Sequence, residues 1–453
     1  MEKSKLINLL ILFLSALFFW ISITIFLPAL PPYLQDIGAT TKQIGFVMGC
    51  FAIGLLFSRV HLGKLADEGL QKSLKSLNLH PILINSFMKL GRSLIGQLIH
   101  YPNRKIVILI GTFVAATAPI GYLLFTSIPE LMVVRAFHGI SIAAFTTGYS
   151  ALVVDLSPPK QRGELIGYMS LAIPVGMAIG PIIGGVLQEY ENYSFLFLVC
   201  FACGLMAFVF ASFIRELDSA KKKVNMTSSQ SFTSREVITK EQVTSRSFGE
   251  LIVNRSFAIP TIVLSLIGCL FGALITFLPL YVRDMGFDFN VGLYYTAAAI
   301  ASFLMRLVTG KASDQYGRGM FISGSIVCYI FSMLLLCNAQ TNETLMLSAN
   351  LEGMGAGVLV PITLALISDR CRATERAKAF AVCISGFDVG VALGGPIIGS
   401  FFFDFGYPFL FASTAVMGTI ALFVFVFFSN KNVVNSLGFT FGKVTDLYAL
   451  EEQ

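Results

Sequence analysis

Apolar runs of about 20 residues, each long enough to cross a bilayer as a helix, follow one another along almost the whole chain. They fall near 7–30, 44–62, 106–126, 131–154, 165–188 and 193–214, and again near 257–282, 289–309, 319–338, 343–368, 377–403 and 406–429. This pattern predicts an all-α membrane protein with twelve transmembrane helices. Composition agrees: 55% of residues are apolar, 13% are charged, and 42 Phe stand against a single Trp, far from the balance of a soluble domain. Met1-Glu2-Lys3-Ser4-Lys5 ahead of the first run imitates a signal peptide. The run is too long and lacks a small-residue cleavage site, so it reads as an uncleaved first helix.

The chain also repeats itself. Gly63-Lys64-Leu65-Ala66-Asp67 returns as Gly310-Lys311-Ala312-Ser313-Asp314, with Arg59 and Arg306 each four residues before the first glycine. Tyr33, Asp36 and Gly38 return with the same spacing as Tyr281, Asp284 and Gly286, and Gly180-Pro181-Ile182-Ile183-Gly184 returns as Gly395-Pro396-Ile397-Ile398-Gly399. A tandem repeat inside an apolar chain predicts two pseudo-symmetric six-helix bundles facing each other, with a solute handled between them.

Charge orients the bundles. Outside the apolar runs, Lys42 and Arg283 are the only basic residues in odd-numbered loops. The positive-inside rule therefore places both termini in the cytoplasm of a multi-pass protein of the cell membrane. Glu130, Glu189, Glu191, Glu343 and Asp404 lie near the opposite face, as do the sequons at Asn192 and Asn342. The net charge of +6 is loop chemistry and not a nucleic-acid signal. Cys200 and Cys203 sit inside an apolar run and read as packing, while His61, His80, His100 and His138 form neither a zinc motif nor a triad. No enzyme, metal or cofactor is predicted.

The expected organisation is an N-terminal bundle over 1–214, a polar cytoplasmic linker over 215–255 opened by Lys221-Lys222-Lys223, a C-terminal bundle over 256–430 and a cytoplasmic tail over 431–453. Gly63 to Asp155 spans 92 positions and Gly310 to Asp369 only 59, so the first half carries about 33 extra residues, near 69–102. Leu70, Leu74, Leu77, Phe87, Leu90, Leu94 and Leu98 recur there at helical spacing among Lys72, Lys75, Lys89 and Arg92. This suits basic amphipathic helices at the lipid headgroups; a helix on the cytoplasmic mouth or a partner-binding element are the alternatives.

In these residues the chain resembles the major facilitator superfamily. Gly310-Lys311-Ala312-Ser313-Asp314-Gln315-Tyr316-Gly317-Arg318 is similar to that family's loop signature G-x-L-A-D-x-x-G-R, and the first copy is intact only through Asp67. Gly176 with Gly180-Pro181-Ile182-Ile183-Gly184-Gly185 resembles the fifth-helix signature of the drug/proton antiporter branch. Arg135-Ala136-Phe137-His138-Gly139 resembles the fourth-helix signature R-x-x-Q-G with His138 in place of Gln, and Pro28, Pro31 and Pro32 resemble prolines ending the first helix. The resemblance implies a cytoplasmic latch at Asp67 and Asp314, with Arg318 pairing near Asp369. A carboxylate there can accept from free N–H groups at a helix start. Gly63, Asp155, Arg162, Gly310, Gly317 and Arg376 complete the expected gate, with Arg104 or Arg92 as the partner of Asp155.

Gly176, Gly180 and Gly184 share one helix face and admit close helix approach, and Pro181 permits a bend; with Gly185 they predict an outer gate. Gly390, Gly394, Pro396 and Gly399 give the eleventh span the same design. Asp388 lies 12 residues beyond Arg376, roughly 18 Å into the membrane. The repeat superimposes His138 on Glu352, each followed by glycine. Ionisable groups at such depth are functional candidates, and a carboxyl taken out of water favours its neutral form. Asp388 and Glu352 are therefore candidate proton or cation carriers, followed by His138 and Arg135. A hydrogen-bonded packing histidine and a snorkelling arginine are the plainer readings.

The expected function is secondary active transport by a monomer. A small amphipathic or lipophilic molecule is exported by alternating access against proton entry, with Phe277, Tyr281, Tyr294 and Met354 facing either the substrate or lipid. A facilitator or proton-coupled importer of a polar nutrient, and a non-transporting receptor, stay open as alternatives.

Overall fold

The computed structural model describes residues 3–68, 104–157, 162–190, 192–214, 248–372 and 375–450. The insertion at 69–102, Arg92, Glu191 and most of the linker lie outside the described residues, and of Gly63, Asp67 and Arg162 only the backbone is placed. All regular structure among the described residues is helical. In the first half these helices are α1 (Lys3–Thr24), α2 (Phe26–Asp36), α3 (Thr41–Glu68), α4 (Arg104–Leu124), α5 (Ile128–Leu156), α6 (Arg162–Ser170), α7 (Ala172–Glu189) and α8 (Tyr193–Phe213). The short α9 (Phe248–Val253) leads into α10 (Arg255–Asp284), α11 (Val291–Tyr316), α12 (Arg318–Cys337), α13 (Asn342–Asp369), α14 (Arg376–Phe401), α15 (Tyr407–Phe428) and α16 (Val433–Thr440). Among them, twelve spans are long and apolar enough to cross a membrane; α1 with α2 makes the first and α6 with α7 the fifth.

Local chemistry explains where these helices begin and break. Asn192, Asn254, Asn290, Thr341 and Asn432 cap α8, α10, α11, α13 and α16 by accepting from backbone N–H groups of the first turn, which lack partners within a helix. α1 stops at Thr24 and α6 at Ser170, each four residues before a proline, Pro28 and Pro174. A proline has no N–H to give the carbonyl four residues back, so each span breaks there. One expectation is corrected: Pro31 and Pro32 lie inside α2 without ending it. α7 runs on through Pro181, and the helix of the fifth span is interrupted at Leu171.

Each half packs by close helix crossings, and the crossings are duplicated. A Cβ on Gly139 of α5 would lie 1.8 Å from the Phe51 carbonyl oxygen of α3, and one on Gly353 of α13 would lie 2.1 Å from that of Ala298 in α11. Phe51 and Ala298 correspond in the repeat, as do Gly139 and Gly353, so both halves build the same joint. Tyr33 Oη donates to the Tyr122 carbonyl at 3.1 Å and Tyr281 Oη to the Ala339 carbonyl at 2.9 Å. Gly38 and Gly286 take φ of 87° and 70°, the left-handed turn that glycine adopts without strain. The two bundles meet along α3 with α14 and α7 with α11.

The tail is folded onto the second half. Arg370, fully buried, donates Nε to Asp446 Oδ2 at 2.7 Å and Nη2 to Asp446 Oδ1 at 3.1 Å. It also donates to the carbonyls of Ser256 and Ser429 at 2.7 and 2.8 Å and lies 5.1 Å from the Tyr448 ring centre. This arginine thus ties the start of α10, the end of α13, the end of α15 and the tail together. A paired guanidinium with every nitrogen donating is the form in which a charge tolerates burial.

Candidate functional site

At the end of the bundle opposite both termini, the halves are joined by a polar network built from the repeat. Arg283 Nη2 lies 2.6 Å from Asp36 Oδ1, and Gln35 Nε2 donates to Asp284 Oδ1 at 3.1 Å. Each aspartate is also held within its own half: Tyr193 Oη donates to Asp36 Oδ2 at 2.7 Å and Tyr407 Oη to Asp284 Oδ2 at 2.5 Å. Sequence reasoning did not assign Asp36 and Arg283 to a gate. The signal was present in the repeated Tyr-x-x-Asp-x-Gly and in Arg283, one of two cations on its face.

Below this network the glycines divide the labour differently from expectation. Cβ atoms on Gly176, Gly180 and Gly184 would strike Trp20, Thr24 and Ile25, so this face packs on the first span of its own half. Gly390 and Gly394 likewise face Ser265 and Cys269 of α10, and Gly399 faces the Phe277 ring. The crossing between halves is made instead by Gly185 against Asn290, the Pro181 carbonyl against Gly292, and Gly45 and Gly49 against Gly395 and Pro396. Thr296 Oγ1 adds a hydrogen bond to the Ala178 carbonyl at 2.7 Å.

Deeper along α3 and α14, Arg59 Nη1 stands 3.1 Å from Asp388 Oδ2, across the boundary between halves, with side chains 25% and 13% exposed. That oxygen accepts no aligned hydrogen bond, so the pairing is charge against charge. The predicted carrier Asp388 is thus neutralised by the other bundle. Arg59 was visible as a repeated residue but not as its partner.

Glu352, 4% exposed on α13, has no ion-pair partner among the described residues, and its Oε1 accepts no hydrogen bond. Around it stand the phenols of Tyr294, Tyr295 and Tyr329. Tyr294 Oη shares a 3.0 Å hydrogen bond with Ser348 Oγ, while the Tyr295 hydroxyl is unpartnered. At the matching place in the first half, His138 is fully buried with neither ring nitrogen hydrogen-bonded. It is packed by Phe26 at 5.1 Å, Phe51 at 5.6 Å and Tyr122 at 6.0 Å between ring centres. The hydrogen-bonded packing histidine is therefore corrected. So is the snorkelling arginine: Arg135 is 6% exposed, with its Cζ 4.5 Å from the Phe51 ring centre, a cation over an aromatic face.

At the end bearing the termini, Arg318 bridges Asp314, at 3.0 Å, and Asp369, and Arg104 Nε lies 3.4 Å from Asp155 Oδ2. Gly317 turns the chain with φ of 92° between α11 and α12. Arg376 is exposed and Gly310 has open space around it. A cavity of about 1250 Å³ here is lined by Asp314, Arg318, Asp369, Arg376, Lys443 and Asp446, among others; it belongs to the second half and the tail, not to the boundary between bundles. Phe277, Tyr281 and Tyr294 are buried in helix packing, which corrects the expectation that they face substrate or lipid; Met354 is half-buried.

The sequence profile of the Major Facilitator Superfamily matches residues 87–337 and 288–443. The chain is 22% identical to an uncharacterized MFS-type transporter of Methanocaldococcus jannaschii, over 82% of this chain and 85% of that protein. It is 25% identical to the multi-drug resistance efflux pump PmrA of Streptococcus pneumoniae, over 87% and 89% of the two. Among solved structures, the nucleoside transporter NupG superposes with a TM-score of 0.69 at 15% identity, covering 92% of this chain and 97% of that one.

Proposed function

The chain belongs to the Major Facilitator Superfamily, and we propose that it exports a small amphipathic or lipophilic molecule by alternating access, driven by protons entering the cell. It is a secondary transporter that crosses the membrane twelve times; in our reading it works as a monomer with both termini cytoplasmic. Its likeness to a multi-drug efflux pump over most of both chains supports export.

The observation that carries proton coupling is the pair of membrane acids with opposite surroundings. Asp388 is balanced across the bundle boundary by Arg59, so gain of a proton releases a bond that exists only between the halves. Glu352 has no ion-pair partner among the described residues, and its Oε1 accepts no hydrogen bond, so loss of its proton leaves a buried charge without one of them to balance it. A proton moving through such sites changes which arrangement of the bundles is cheaper, which is what coupling requires. Asp67 and Asp314 serve as the latch when the cytoplasmic side shuts.

Proteoliposomes test the reading. An imposed pH gradient should drive uptake of substrate into inside-out vesicles, and Asp388→Asn and Glu352→Gln should each lower gradient-driven flux at least ten-fold while downhill exchange continues. Flux indifferent to the gradient would favour a facilitator, and normal coupling in both variants would remove the two acids from the mechanism.

A further inference from the structure

Arg59 and Arg306 occupy the same place in the repeat, four residues before Gly63 and Gly310, yet their surroundings differ. Arg59 meets Asp388 at 3.1 Å. Aligning Gly180 with Gly395 puts Ile173 of α7 where Asp388 stands on α14. Among the described residues no carboxylate contacts Arg306 and nothing accepts a hydrogen bond from its guanidinium.

Its direction is set by the helix. Exposed Leu293, Ile300, Leu304 and Leu307 mark the lipid-facing side of α11 at helical spacing. Arg306 lies on the other side, in line with Tyr295, Ala299 and Ser302. That side falls between the contact of Ser302 with Gly357 and the contact of Thr296 with Ala178. Neighbouring helices enclose Arg306, yet its side chain stays open to solvent. Ten residues from the end of α11 at Tyr316, it sits roughly 15 Å in from that end.

We propose that Arg306 receives the head group of the substrate, which makes the exported class an amphipathic organic anion: a carboxylate, sulfonate or phosphate monoester on an apolar body. A planar guanidinium with free donors matches the oxygens of these groups two at a time. Asp388 prevents Arg59 from doing the same, so the repeat supplies one anion site where symmetry alone would give two. The inference rests on the export reading and specifies its substrate.

Equilibrium binding to the purified full chain in detergent tests it. The probes are a panel of bile-acid, fatty-acid, aryl-sulfonate and alkyl-phosphate anions, each paired with its neutral ester or amide. At least one anion should bind wild type ten-fold more tightly than its neutral partner. Arg306→Gln should erase that preference, Arg306→Lys should keep part of it, and Ile173→Asp, which supplies the missing counter-ion, should erase it with Arg306 intact. Equal anion affinity in wild type and R306Q, or no anion preference anywhere in the panel, overturns the proposal. Binding needs no gradient, so Arg306-dependent binding without proton-driven flux would sink the antiport reading alone. Proton-driven flux indifferent to R306Q would sink this inference alone.

Discussion

Tyr33 and Tyr281 donate to carbonyls at the ends of the third and ninth spans, and Asp36 and Asp284 each accept from a tyrosine of the last span in their own half. At this rim the two bundles are near copies. Halfway down they diverge: Arg59 is matched by a carboxylate of the other bundle and Arg306 is not, and a caged histidine replaces a buried glutamate. Duplicated chemistry holds the scaffold of each bundle, and the departures from it are the places where a charge can be given to something else. A pseudo-twofold molecule thus carries asymmetric chemistry without changing its helix packing.

Breaking the shared joint should do the most damage, and do it equally. Gly139→Ala and Gly353→Ala each press a methyl onto a backbone carbonyl, which cannot swing aside as a side chain can. Each should cost about 3 kcal/mol or abolish folded protein, read as thermal stability in detergent; a large effect in one half alone would refute the equivalence. Breaking the unshared pair comes next. Arg59→Gln leaves Asp388 without its cation and should cost about 2 kcal/mol, less than a fully buried pair because both groups are partly open. Arg306→Gln should leave stability unchanged, and adding Asp388→Asn to R59Q should recover part of the loss. The smallest change tests the rim: Tyr33→Phe and Tyr281→Phe each delete one buried hydrogen bond, for about 1 kcal/mol, and the two values should agree.

Much of this was legible in the sequence, because apolar run length and a tandem repeat report directly on helices and on their duplication. The twelve spans came from run length, Arg318 beside Asp369 was implied by the family resemblance, and Arg104 was one of two candidates, with Arg92, for the place beside Asp155. Contacts between halves were not legible. The pairing of Arg59 with Asp388 depends on how α3 is laid against α14, which no local period encodes. The glycine faces were found, but not their partners: a small-residue stripe says that a helix comes close, not which helix. The solvation of His138 was equally hidden, since residues as distant as Phe26 and Tyr122 build its cage. The docked tail was invisible because Arg370 and Asp446 carry no spacing signal across 76 residues.

The two interrupted spans lie side by side. Thr24 Oγ1, where α1 stops, donates to the Gly176 carbonyl in the first turns of α7 at 3.0 Å, so the two discontinuities form one seam. Their counterparts α10 and α14 are unbroken, and Arg370 staples the foot of that bundle to the tail. A rocking cycle in such a molecule has its elbow on one side and its pillar on the other. Spin labels flanking 25 and 171 should therefore report a wider change of angle between conformers than labels flanking 273 and 386.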